Sequence, residues 1–189
     1  MSRSIITDSS ELSQWHTLVK EAEQDYGCTL DEAMQSYLVF TLMRFARDPG
    51  LNSHALALEY LESHHLPNVQ RSEQLRDIGD QCLLVSGLYP KAAERRQVGV
   101  GYYIDLGRSA YHHISTYTQN SIADLYHELS VSFVLLMDLL QTIRQYSMPA
   151  MDPIPALDVW QKYGSEAARR QISEDRATIH TGLVTDLKH

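Results

Sequence analysis

The chain has 189 residues, 43% of them hydrophobic and 21% charged. That is enough for one ordinary domain with a sizeable core, and the composition is too rich in aliphatic and aromatic residues for a disordered chain. A formal net charge of −8 at pH 7 argues against nucleic acid as a partner, because sequence-independent binding to a phosphate backbone needs a clustered excess of Lys and Arg.

Cys28 and Cys82 are the only cysteines, too few for a small secreted domain stapled by disulfides, so a reducing cytoplasm is the expected compartment. The N-terminus offers only Ile5 and Ile6 before Thr7, Asp8, Ser9 and Ser10, without the apolar stretch of a signal peptide. The run from Val131 to Leu140 is interrupted by Asp138 and falls short of the roughly 20 apolar residues that cross a bilayer. No membrane span is expected.

Leu12, Trp15, Leu18, Val19, Ala22 and Tyr26 recur at spacings of three and four, which places them on one stripe of a helix. Gly27 supplies its stop. Thr29 followed by Glu32 has the pattern of a capping box and opens a second helix that runs to about Arg47, before Asp48, Pro49 and Gly50. The stretch Tyr37-Leu38-Val39-Phe40-Thr41-Leu42-Met43 is apolar nearly all round, as befits a central core helix, although the run alone also fits a buried strand.

Asn52 or Ser53 caps a third helix with Ala55, Leu56, Leu58 and Leu61, and Pro67 forbids continuation past His65. A fourth begins after Asn68, carries Leu75, Ile78, Cys82 and Val85 on one face, and stops at Gly87-Leu88-Tyr89-Pro90.

From Val98 to Tyr117 two periods compete. Val98, Val100, Tyr102, Ile104 and Leu106 alternate as in a strand, while Tyr103, Leu106, Ala110, Ile114 and Tyr117 follow helical spacing over more of the segment, which predicts a helix. Gly99, Gly101 and Gly107 weaken such a helix by on the order of 1 kcal/mol each relative to Ala, so close packing or a kinked start is implied.

The clearest element runs from about Ser121 to Tyr146. Ile122, Leu129, Leu136 and Ile143 fall at heptad position a, Leu125, Leu139 and Tyr146 at d, and Tyr126, Phe133 and Leu140 at e; only Ser132 breaks the d series. So broad a stripe belongs to a bundle helix. Val131 and Val134 extend the apolar surface onto its back, where either another helix of the chain or a second subunit covers them.

Pro149, Pro153 and Pro155 read as a stiff link over 149–155, followed by a helix from Ala156 with Leu157, Trp160 and Ala167 inward. The tail from Ser173 to His189 has weak periodicity in Ile179, Leu183, Val184 and Leu187 and is expected to dock. The expected architecture is therefore all-α, a multi-helix bundle of about six to seven helices around a single hydrophobic core, over residues 1–189 as one domain.

Chemical motifs are sparse. Glu62-x-x-His65 and Asp124-x-x-His127 have the spacing that helical di-metal sites use, but His65 lies in a last helical turn and Asp124 and His127 fall opposite the a/d/e stripe. No metal or cofactor is expected, although His64, His65, His112 and His113 allow weak binding at a surface. Ser86 before Gly87 lacks the Gly-x-Ser-x-Gly elbow, and Cys82 sits at a core position. Gly99-Val100-Gly101 lacks the third glycine of a dinucleotide loop, and no Gly-Lys-Ser/Thr phosphate loop occurs. The basic clusters Lys91, Arg95, Arg96 and Arg169, Arg170 have Glu94, Glu166 or Glu174 beside them, as on a solvated helix face.

One stretch departs from what plain bundle packing needs. Residues 87–117 concentrate Gly87, Gly99, Gly101 and Gly107 with tyrosines, and align Asp105, Arg108, Ser109 and His112 along one polar side. Its ligand-binding candidates are Tyr89, Tyr102, Tyr103, Asp105, Arg108, Tyr111 and His112, with Arg108 paired to Asp105 or another carboxylate beside a tyrosine-lined cleft. The first functional expectation is a non-catalytic protein-interaction or regulatory protein, binding a protein partner or itself, with a homodimer through Val131 and Val134 as one form. The alternative is a small-molecule-binding or enzymatic bundle with its site in 87–117.

Overall fold

A computed structural model describes residues 3–47, 56–95, 98–145 and 153–173. Among them nine helices follow one another: α1 Arg3–Tyr26, α2 Glu32–Arg47, α3 Leu56–Ser63, α4 Asn68–Leu88, α5 Pro90–Arg95, α6 Val100–Tyr117, α7 Asn120–Val131, α8 Phe133–Gln145 and α9 Pro153–Tyr163. Residues 166–173 are helical as well, and no strand occurs among the described residues. None of these helices is long and apolar enough to cross a membrane.

The helix count exceeds six or seven for two local reasons. Pro90 starts a short helix of its own, since a proline lacks the N–H that a continuing helix would need but fits a first turn. The long heptad helix divides at Ser132, the residue that interrupts the d series, whose φ of −88° and ψ of 11° depart from helical values. The ladder nevertheless bridges the break, because Ser132 N–H donates to Glu128 O at 2.8 Å and Leu136 N–H donates to Ser132 O at 3.0 Å.

Helix ends follow the side chains available. α1 stops at Gly27, whose φ of +85° is a conformation that glycine adopts without a Cβ penalty. Gly27 N–H and Cys28 N–H both donate to Glu23 O, and the buried Glu23 carboxylate accepts from Leu30 N–H at 2.5 Å and Gln35 Nε2 at 2.6 Å. The turn is thereby tied to the helix on either side. α2 opens at Glu32 with Asp31 as its cap, accepting from Met34 N–H at 2.8 Å. The Thr29–Glu32 capping box is corrected by this geometry: Thr29 lies outside the helix, and the aspartate one residue before it satisfies the orphan donor. Arg71 closes the end of α3, donating from Nε to Ser63 O at 3.1 Å and from Nη2 to His64 O at 2.7 Å.

One buried cluster draws side chains from every one of these helices, among them Val19, Leu38, Leu56, Leu75, Ala93, Tyr103, Leu129, Leu136 and Val159. α4 and α6 occupy its centre: α4 packs against α3, α5, α6 and α8, and α6 against α4, α5, α7, α8 and α9. The central role expected of the Tyr37–Met43 segment passes to them, because α2 turns Leu38, Val39, Leu42 and Met43 inward but leaves Phe40 59% exposed.

Several other faces are rotated from expectation. In α3 Leu56 and Ser63 point inward while Leu58 and Leu61 are exposed; Asn52, Ser53 and Ala55 lie outside the described residues. Ile122, at the first heptad position a, is exposed near the start of α7, whereas Leu129, Phe133, Leu136, Leu139 and Leu140 are fully buried. Residues 149–152 of the expected link and 174–189 of the tail lie outside the described residues, and Pro153 and Pro155 form the first turn of α9 instead of a spacer. In that helix the buried residues are Ala156 and Val159, and Leu157 and Trp160 face outward.

Candidate functional site

Three helices converge on a buried carboxylate that the sequence reading did not single out. Asp80 lies on the inner side of α4 between Ile78 and Cys82. Its neighbour Gly79 opens the helix surface: a Cβ there would come 2.7 Å from Tyr111 Cδ1, so only glycine admits the Tyr111 ring. Through that gap the Tyr111 hydroxyl donates to Asp80 Oδ1 at 2.6 Å, and the Tyr37 hydroxyl donates to the same oxygen at 2.6 Å. Arg44 donates through Nη2 to Asp80 Oδ2 and through Nη1 to Asp77 Oδ1 at 3.0 Å.

Aromatic rings wall the carboxylate in. Tyr37 meets Tyr111 and Tyr126 edge-on, each at 6.0 Å between centroids, and Tyr111 also lies 6.0 Å from Phe133. Burial pushes the Asp80 carboxyl above the usual carboxylate range, opposed by the Tyr111 and Tyr37 hydroxyls and by the Arg44 guanidinium. The same burial, with the carboxylate beside them, raises the Tyr37 and Tyr111 phenols well above their ordinary value. Both oxygens of Asp80 thus already hold protein donors, an arrangement that fixes how the three helices pack.

Above this cluster a hollow of about 260 Å³ opens between α2 and α4, lined by Tyr37, Phe40, Thr41, Arg44, Arg76 and Asp80. Arg76 reaches Asp77 through Nη2 at 3.3 Å, while its buried Nε has no hydrogen-bond partner among the described residues. On the other side of Phe40 a second, mostly apolar groove of about 340 Å³ runs between α1 and α2, lined by Leu12, Ser13, His16, Ser36, Val39 and Phe40. Phe40 is the wall that both depressions share.

A second buried carboxylate, Asp138 of α8, ties chain segments together. It accepts from Tyr26 Oη at 2.9 Å, Ser165 Oγ at 2.6 Å and Ala167 N–H at 3.3 Å. Burial raises its carboxyl, against the pull of those donors. It clamps the end of α1 and the start of 166–173 onto α8.

The residues singled out from 87–117 scatter over several environments. Tyr111 is buried at Asp80, and Tyr103 is buried with its ring 5.1 Å from that of half-buried Tyr102. Tyr89 packs on Phe45 at 5.9 Å. Asp105, Arg108 and His112 are exposed along one side of α6. Asp105 accepts from Tyr163 Oη at 2.9 Å and pairs with Lys162 at 3.2 Å, so the expected Asp105–Arg108 pair gives way to a link between α6 and α9. Arg108 contributes its backbone carbonyl, which accepts from Ser130 Oγ. Side chains fill the space at three of the four glycines: Leu140 stands against Gly87, Tyr163 against Gly101, and Phe133 and Cys82 against Gly107, while Gly99 faces open space.

The metal-like spacings end at the surface, with Glu62, His65, Asp124 and His127 all exposed. His64 and His113 do meet, their rings 4.9 Å apart, and Tyr60 stacks on His113 with its hydroxyl 2.9 Å from Nδ1. Burial and the neighbouring His64 lower the His113 pKa. No group of three or more His, Cys, Asp or Glu side chains suited to a metal gathers among the described residues.

Asp80, Tyr37, Arg44, Arg76 and Phe40 were missed by sequence reasoning. The one available signal was an aspartate and a glycine, Gly79-Asp80, inside an otherwise apolar helical face, a local inconsistency of the kind that marks a close contact. No protein-family model, no curated protein and no solved structure matches the chain.

Proposed function

We propose that the chain is a protein-interaction or regulatory protein without catalytic activity, and that it engages its partner through the face that α1, α2 and α4 form around Phe40. The position of Phe40 carries this reading: 59% exposed, it walls both the apolar groove and the polar hollow. Burying such a side chain in a partner yields on the order of 1.5–3 kcal/mol, and an aromatic anchor between an apolar slot and cationic side chains is the composition of a binding hot spot. The hydroxyl, guanidinium and amide donors that Asp80 and Asp138 already hold support a structural role for the two buried carboxylates.

The small-molecule alternative has less support. That reading places its site in 87–117, where the spaces beside Gly101 and Gly107 are occupied by side chains. Self-association through Val131 and Val134 is also weaker, since Val131 is exposed but Val134 is half-buried against the core. A cytoplasmic setting accords with Cys28 and Cys82 as free thiols.

A photo-crosslinking amino acid placed at position 40, in cells that make the protein, tests the reading. Adducts to a defined protein are expected there and not at Gln24, an exposed control on α1. No adduct at 40, or the same adducts at both positions, overturns it.

A further inference from the structure

We propose that Tyr60, His64 and His113 form a pH-sensitive latch, which holds α3 on α6 while the His113 imidazole is neutral and releases α3 when that ring takes up a proton. The inference concerns other residues than the face around Phe40 and does not depend on the interaction reading. Geometry is the first argument. The Tyr60 hydroxyl of α3 lies 2.9 Å from His113 Nδ1 of α6, with the two rings nearly parallel. The His64 ring, just past the end of α3, stands perpendicular to both, 4.9 Å from His113 and 5.5 Å from Tyr60. A neutral His113 accepts the phenol proton at Nδ1, whereas a protonated ring can only donate there. The bond therefore reverses on protonation without being lost, and the switch has to come from charge.

Charge is the second argument. The charges that act on His113 come from His64 in the turn after α3, His112 of α6 and Arg71 of α4, and each opposes its protonation. No carboxylate is among them, and among the described residues α5, α7, α8 and α9 add none. The nearby phenols, Tyr60 and Tyr117, are raised by burial and stay neutral at acidic pH. Arg71 is held against the new cation, because its guanidinium donates to the carbonyls of Ser63, His64 and Leu66 and lies over the Tyr117 ring at 5.5 Å. Burial and these cations keep the His113 pKa below its ordinary value, so the neutral ring belongs to the docked form. The docking that this contributes is fully present above the free imidazole value of about 6.5 and is lost as pH falls below it.

The element that yields is α3. Its eight residues are too few for a helix to persist alone. Only Leu56 and Ser63 of them are buried, while Leu58 and Leu61 face outward. Its other ties run to α4, through Gln74 Nε2 to Glu59 O at 2.9 Å and through Arg71. A segment with so few buried contacts opens at lower cost than the core, and its release uncovers the socket that Leu56 fills.

The test uses the full chain. Imidazole resonances followed by NMR from about pH 8 to about pH 5 should show His113 titrating below about 6.5; a midpoint at or above that value overturns the inference. Hydrogen exchange, corrected for the intrinsic rate at each pH, should show the α3 amides losing protection at least about fivefold between about pH 7.5 and about pH 5.5, with α8 unchanged. His113→Phe keeps an aromatic ring beside Tyr60 but cannot be charged, and it should leave α3 equally protected at both pH values. His64→Asn, at an exposed position, removes one of the opposing charges and is expected to raise the His113 pKa and shrink the loss. A loss that persists in His113→Phe, one that spreads equally to α8, or no loss in the unaltered chain overturns the inference. If His113→Phe does not fold, His64→Asn decides: an unchanged His113 midpoint and an unchanged loss overturn it.

Discussion

The Tyr111 hydroxyl of α6 donates to Asp80 Oδ1 of α4 at 2.6 Å, and the ring that reaches it occupies the space a side chain at position 79 would fill. Two consecutive residues, Gly79 and Asp80, thus serve one contact, the first by its small size and the second by its charge. Tyr111→Phe removes a hydrogen bond to a buried acceptor that has few alternatives, and a loss of about 1.5–3 kcal/mol is expected in chemical unfolding. Tyr37→Phe should cost a comparable amount. The double variant should lose a different amount from the sum, because both hydroxyls serve the same oxygen. Strict additivity would show that the two bonds are independent.

The glycines of α6 separate filled space from open space. A Cβ at Gly107 would stand 2.5 Å from Phe133 Cε2 and 2.8 Å from Cys82 Cβ, whereas nothing lies within 4 Å of one at Gly99. Gly107→Ala is therefore expected to destabilise by about 1–3 kcal/mol through overpacking. Gly99→Ala should change stability by less than about 1 kcal/mol. Thermal unfolding of the two variants side by side checks the contrast, and equal midpoints would contradict it.

The heptad face is tested on α7 and α8. Leu129 and Leu136 are fully buried, and replacing either with Ala should cost about 2–5 kcal/mol. Val131, 59% exposed on the same stretch, should tolerate Ala with a change within about 0.5 kcal/mol. A large loss at Val131 in a concentration-dependent transition would reveal a subunit interface there.

Alkaline pH probes the tyrosine cluster. Burial and the nearby carboxylate raise the Tyr37 and Tyr111 phenols in the folded chain. A raised folded pKa means that the native state binds the proton more tightly than the unfolded one. The stability this contributes is fully present below the unfolded phenol value of about 10 and is lost as pH climbs above it. Phenolate absorbance should therefore rise in two stages, exposed tyrosines first and the buried ones together with loss of helical dichroism. Tyr111→Phe should lessen the steepness of the second stage. A single stage with full helicity retained would mean that the buried phenols ionise in place.

Arg108 offers a contrasting case. It is exposed on α6, and Arg108→Ala should leave the unfolding free energy within about 0.5 kcal/mol of the original. A loss above about 1 kcal/mol would mean that its side chain supports the fold.

Local order alone determined the helical class, the stops at Gly27 and before Pro67, and the burial of Leu129, Phe133, Leu136 and Leu140. These depend on periodicity and backbone chemistry within a few residues, which a linear string carries in full. The end of α2 at Arg47 and the helical state of the Val100–Tyr117 segment were legible for the same reason. What each face meets was not. Phe40 and Leu38 belong to one apolar run, and only the positions of the helices packed on α2, α1 and α7, decide that Leu38 is buried and Phe40 left at the surface. The same holds for Asp80, whose donors Tyr37, Arg44 and Tyr111 lie 43, 36 and 31 residues away in the chain. A buried carboxylate is tolerable only when such donors surround it, and their convergence is a property of helix packing, which no local pattern in the sequence encodes.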